Sequence, residues 1–213
     1  MKKILIVMFA FLMILTSCTV NGGPAKNPPD TDSSGTKEEP TPTVKAYDVY
    51  DLFPEVLNKH MVYNGEGNEF AEHETYVDFV RGNVVQIRDI NPGTTMAKVY
   101  EIGDGIVRLV FSQGESYEVK DYTASRNKDE VILKEPIAVG TEWTVNDGAT
   151  RKITAVDMDV TVPAGSYKCV EITTDNKDSI DKSYYAPGIG LVKTEFTSKE
   201  GNYLVTSELE KIE

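Results

Sequence analysis

The chain is poor in the residues from which most catalytic and metal centres are built. It holds two cysteines, two histidines and one tryptophan in 213 residues. Two cysteines make no disulfide framework, and two histidines leave too few ligands for a multi-histidine metal site. Basic residues are in deficit, 22 against 34 acidic ones, for a formal charge of −12. A nucleic-acid binder needs a basic face to displace counterions, so no nucleic-acid partner is expected. Long apolar runs are missing too. The run at residues 4–15 falls short of the roughly 20 residues that span a bilayer. What is present is a hydrophobic content of 40% with 11 Tyr and 7 Phe, enough to build a core.

The apolar run has a specific context. Lys2 and Lys3 precede it, and Leu15-Thr16-Ser17-Cys18 follows it. A short basic segment, an apolar stretch and small residues before a cysteine resemble the lipobox of bacterial lipoproteins. In that family the cysteine thiol receives a diacylglycerol group and the chain is cut before it. The resemblance implies a signal peptide at 1–17, lipidation of Cys18 and a membrane partner reached through that anchor, on the extracytoplasmic face of the cell membrane. Two or more acyl chains hold a protein there stably.

Residues 19–46 contain five of the ten prolines, three glycines and almost no large apolar residue. Such a segment buries no surface, so 18–46 is expected to be a disordered tether. As a flexible coil it would reach about 30 Å.

Residues 47–213 read as all-β. Turn signals such as Gly82-Asn83, Pro92-Gly93, Gly103-Asp104-Gly105 and Pro187-Gly188 punctuate segments rich in Val, Ile, Thr, Tyr and Phe. Period-two alternation places Val156, Met158, Val160 and Val162 on one strand face, opposite Asp157 and Asp159. Val107, Leu109 and Phe111 likewise share a face. Helix is expected only as a turn or two within 49–59, where Pro54 interrupts it.

Two blocks recur. Residues 99–111 align without gaps on 184–196, with Tyr100/Tyr185, Gly103/Gly188, Gly105/Gly190, Val107/Val192 and Phe111/Phe196 identical. Residues 54–64 align on 136–146 at nearly the same offset. The spacing predicts a tandem repeat of two antiparallel units of about eighty residues, 47–125 and 126–213. They are expected to share one core in a curved sheet, sandwich or half-barrel, because each alone would be marginal. Gly103-x-Gly105 lacks the third glycine and the following helix of a phosphate loop, so it reads as a hairpin turn.

The segments 63–71, 132–143, 162–169 and 184–193 resemble a group of uncharacterised all-β lipoproteins and secreted proteins of Gram-positive bacteria. The resemblance covers most of 52–212 and implies no particular chemistry. A weaker likeness of fold runs to lipoprotein carriers, whose curved sheet cradles acyl chains.

No catalytic, cofactor or metal set is expected. Cys169 lies mid-strand without a local histidine and reads as a small core residue. His60 and His73 show no ligand spacing and read as solvated or edge residues. Acidic clusters, including Asp157/Asp159 and Asp175/Asp178/Asp181, complete no calcium loop. Trp143, Tyr63, Tyr100, Tyr184 and Tyr185 are the candidates to line a ligand groove. The sequence thus points to a non-enzymatic, lipid-anchored binding or interaction module at the cell envelope. Its protein, lipid or cell-wall partner stays unidentified. Two alternatives stand beside it: a carrier of a hydrophobic ligand or lipid, and an envelope-polymer hydrolase, which would need two carboxylates across a cleft.

Overall fold

The computed structural model describes residues 46–145, 148–201 and 203–213. The segments expected to be a signal peptide and a tether, with Cys18 between them, lie outside the described residues except for Ala46. Those described form one helical turn, α1 (Val49–Leu52), and twelve strands. The first six are β1 (His60–Glu66), β2 (His73–Arg81), β3 (Val84–Asn91), β4 (Thr94–Gly103), β5 (Ile106–Gln113) and β6 (Glu130–Lys134). The second six are β7 (Glu142–Thr144), β8 (Thr150–Val162), β9 (Gly165–Asp175), β10 (Ser179–Ala186), β11 (Gly190–Ser198) and β12 (Leu204–Ile212).

All twelve join one antiparallel sheet in the order β6-β5-β4-β3-β2-β1-β12-β11-β10-β9-β8-β7. Each half is a six-stranded meander, and β1 pairs with β12 to join the halves, from Met61 opposite Ile212 to Glu66 opposite Thr206. The sheet curls until its outer strands meet. The Trp143 indole N–H donates to the Val131 carbonyl at 2.9 Å, and Arg151 Nη1 donates to the same oxygen at 2.8 Å. The result is a nearly closed barrel, sewn by backbone on one side and latched by side chains on the other.

The strand order is the same in both meanders, and the aligned blocks fall on corresponding strands. Residues 99–111 form the β4–β5 hairpin and 184–196 the β10–β11 hairpin. Each has a register shift just before its aligned tyrosine, Tyr100 or Tyr185. The turns differ in chemistry. Asp104 and Gly105 both take positive φ, as a two-residue hairpin of the mirror-image type I class requires. Pro187-Gly188 instead makes a type II turn, with Gly188 at φ 79° and Ile189 N–H bonded to the Ala186 carbonyl. The change from one meander to the next falls at residues 135–141, later than 125/126. Residues 114–129 turn back over the first meander before β6 begins. Gln86 fastens this loop, donating to the Lys120 carbonyl at 2.8 Å and accepting the Tyr122 N–H at 2.7 Å.

The main core gathers residues from α1 and from strands all round the sheet, among them Leu52, Val77, Val107, Leu133, Ile153 and Val170. Only the concave face lets such residues meet, so both meanders share this core. α1 lies against it because Val49 and Leu52 are fully buried. Asp48 caps the turn, accepting the Asp51 N–H at 2.9 Å, and the chain leaves helical geometry before Pro54. A second cluster joins Met61, Tyr63 and Leu209 to Val160, Val162 and Cys169.

Two expected alternations fail for identifiable reasons. In β8, Asp157 takes φ 58° and the register with β9 shifts there. The bulge resets the parity: Ile153, Val160 and Val162 are buried, while Met158 is 40% exposed. In β5, Val107 joins the main core, but an extra residue at Val110 shifts the register with β4, so Phe111 does not share the face of Val107 and Leu109; it packs with Val99 and Val110 beneath Tyr122 of the 114–129 loop.

Candidate functional site

A cavity of about 110 Å³ lies inside the barrel. Its wall is built from β1, β2, β3, β4, β6, β10 and β11 together with the segment after α1, and includes Tyr63, His73, Asp89, Lys98, Tyr100 and Tyr185. A second cavity, about 190 Å³, adjoins it across Tyr100 and Tyr185 and is lined further by Arg151, Ser183, Ile132 and Ile172.

Alternation explains how polar groups arrive here. On β3, Val85 and Ile87 point to the core, and Asp89 follows two residues on. On β4, Lys98 precedes Tyr100 and Ile102 in the same way. Each charge then meets a partner. Lys98 Nζ lies 2.5 Å from Asp89 Oδ2. Arg151 Nη2 lies 3.0 Å from Glu130 Oε1, and Lys59 Nζ lies 3.4 Å from Glu55 Oε1. Both side chains of this last pair are at least nine-tenths buried. Burial pushes the Glu55 carboxyl up, against the pull of Lys59.

The tyrosines divide. Tyr63 is buried, donates its hydroxyl to the Leu191 carbonyl at 2.9 Å and stacks on His73 at 4.4 Å between ring centres. Tyr100 and Tyr185 reach both cavities, and their hydroxyls make no hydrogen bond to another described residue. The same holds for the Ser183 hydroxyl. Burial raises the Tyr63, Tyr100 and Tyr185 hydroxyls, so all three stay protonated and able to donate.

Of the five residues singled out by sequence, the cavity therefore unites Tyr63, Tyr100 and Tyr185. The other two lie elsewhere. Tyr184 packs in the second core cluster and donates to Glu195 Oε2 at 3.0 Å. Trp143 is 8% exposed and serves the latch, so it lines no open groove. Sequence reasoning missed Asp89, Lys98, Glu55 and Arg151. The available signal was a charged residue on the apolar parity of a strand, at Asp89 and Lys98.

Cys169 is 1% exposed, and desolvation pushes its thiol up to about 11, as suits a core residue. His60 is not solvated as expected. Its two ring nitrogens lie 2.9 Å from Glu74 and 2.8 Å from Glu213, and it stacks on Tyr76 at 4.0 Å. These contacts tie β1, β2 and the end of β12 together. No group of three or more metal-ligating side chains occurs among the described residues. No described helix is long and apolar enough to cross a membrane.

Residues 141–209 match a family described as DUF3108-like, a stretch that runs from just before β7 into β12. No curated protein matches the chain in sequence. Two solved structures resemble it. One is titled a "putative lipoprotein" from Parabacteroides distasonis, 17% identical, with a TM-score of 0.49 over 74% of this chain and 96% of the other. The other is titled a "putative exported protein with YmcC-like fold" from Bacteroides fragilis, 14% identical, with a TM-score of 0.45 over 79% of this chain and 100% of the other.

Proposed function

We propose that the protein is a non-enzymatic, lipid-anchored binding module on the extracytoplasmic face of the cell membrane, and that it binds a small molecule inside the barrel. The observation that carries this reading is the pair Tyr100 and Tyr185, one partly buried and one buried, which line both adjoining cavities and whose hydroxyls hydrogen-bond to no described residue. No buried side-chain N or O atom among the described residues lacks a partner, so these two hydroxyls are open to the cavity and free to donate to and accept from a bound molecule.

The geometry favours this reading over the alternatives. Small-molecule pockets span about 300–1,000 Å³. Cavities of about 110 and 190 Å³ crossed by ion pairs fit a compact polar ligand better than an acyl chain. A hydrolase needs a free carboxylate pair, whereas Glu55 and Asp89 are each engaged with a lysine.

Native mass spectrometry of the protein purified from its host tests the reading. A stoichiometric small molecule that leaves on denaturation is expected, and an empty barrel under conditions that preserve non-covalent complexes argues against it. The anchor is tested separately. Cys18→Ala should abolish lipid labelling and leave the precursor uncut, and unchanged labelling would overturn it.

A further inference from the structure

Resting on that reading, we infer that the barrel selects a neutral, hydroxyl-rich ring about the size of one sugar residue. Three features of the lumen point to this class.

The first is charge balance. The cations around the cavities are Lys98, Arg151 and Lys59, and each sits against a carboxylate: Asp89, Glu130 and Glu55. A charged ligand would bring an extra charge into the interior without a counter-charge, which is strongly unfavourable. A neutral ligand leaves the three pairs undisturbed.

The second is the character of the unused polar groups. Tyr100, Tyr185 and Ser183 all offer hydroxyls, which both donate and accept. Arg151 adds donors. Its Nε–H, one Nη1–H and one Nη2–H are spent on Thr174, Val131 and Glu130, which leaves two of its five N–H groups. A ligand that matches this set must also both donate and accept, as a polyol does. A ketone or ether, which only accepts, would leave the hydroxyl lone pairs unmet.

The third is shape. Tyr100 and Tyr185 stand where the two cavities adjoin, and Ile132 lines both. Aromatic and aliphatic walls suit the C–H faces of a ring, while hydroxyls suit its edge. The two cavities together offer about 300 Å³, the small end of the range for small-molecule pockets, which suits a single ring and not a longer ligand.

The test uses the mature lipoprotein in a detergent without a sugar headgroup. Thermal shift and calorimetry are run with glucose, galactose and N-acetylglucosamine, with the charged analogues glucuronate and glucosamine, and with toluene as an apolar probe. At least one neutral ring should bind saturably, with its charged analogues at least tenfold weaker. Tyr100→Phe and Tyr185→Phe keep the ring packing and should each weaken binding about tenfold, with Ser183→Ala as the independent variant. The same affinity for N-acetylglucosamine and its trimer would assign the end of a glycan as the source, and loss with the trimer would assign the free ring. A charged or apolar probe that binds better than every neutral sugar would overturn the ligand class and leave the lumenal site standing. If no probe binds and the native mass spectrum shows an empty barrel, both fall.

Discussion

The two meanders meet twice, and the two meetings are made of different stuff. At β1–β12 they are joined by a backbone ladder, closed at its end by mutual N–H···O bonds between His60 and Glu213 at 3.2 and 2.9 Å. At β6 and β7 the strands do not pair, and three side-chain contacts from Trp143 and Arg151 hold them. A ladder fixes every residue along its length, whereas a latch depends on a few groups that rotamer changes can release. The barrel should therefore have a permanent seam and a weak one, with the cavity behind the weak one lined by residues from both sides, Ile132 and Arg151.

The harshest way to break the contrast is at the permanent seam. Gly65 faces Ser207 across it, and a Cβ there would lie 1.9 Å from the backbone nitrogen of Glu72. Gly65→Val cannot be absorbed by a side-chain movement and should cost more than about 4 kcal/mol. Loss of soluble, cooperatively melting protein is expected, and a wild-type melting temperature would refute it. Leu209→Ala, fully buried opposite Tyr63 on the same seam, should cost about 2–5 kcal/mol in urea unfolding.

The weak seam should respond more gently and more locally. Trp143→Phe keeps most of the packing but deletes one hydrogen bond, a loss of about 1 kcal/mol. Hydrogen exchange should quicken in β6 and β7 while β12 amides stay protected. Equal quickening in both places would mean the seams are equivalent after all.

The mildest test perturbs almost nothing. Trp143 sits at the latch, and Cys169 belongs to the cluster around β1 and β12, so each region carries its own reporter. In a Cys18→Ser background, burial keeps the Cys169 thiol protonated below about pH 11. Thiolate-directed alkylation at pH 8 should thus require unfolding. In a urea series, tryptophan emission should shift red before Cys169 becomes reactive, and coincident transitions would remove the distinction.

Much of this architecture can be read from local pattern. Glycine-marked turns and alternating Val, Ile and Tyr are enough for antiparallel strands, and Pro54 is enough to confine the helix to one turn. Cys169 reads as a core residue because it lies mid-strand with no histidine nearby in sequence. What stays hidden is whatever depends on contacts far apart in sequence. Asp157 looks like the outward member of an alternating strand, yet its positive φ inverts the pattern and exposes Met158. Its carboxylate accepts the Tyr47 hydroxyl at 2.5 Å, 110 residues away in sequence. Trp143 reads as a ligand-facing aromatic because no local rule reveals that β6 will lie opposite it. The site is half legible: the aligned pair Tyr100 and Tyr185 stands out, while Arg151 and Glu130 gain meaning only once the sheet closes.

The pairing of β1 with β12 has a consequence for how the chain could be rewired. The strands form a ring in which the covalent order has one interruption and the hydrogen-bond order has another, on opposite sides. No backbone ladder crosses residues 135–141. A circular permutant that links Glu213 to Ala46 through a flexible spacer and opens within 136–139 would preserve every strand pairing. Its new ends would sit at the latch, turning the barrel's softest side into its two free termini.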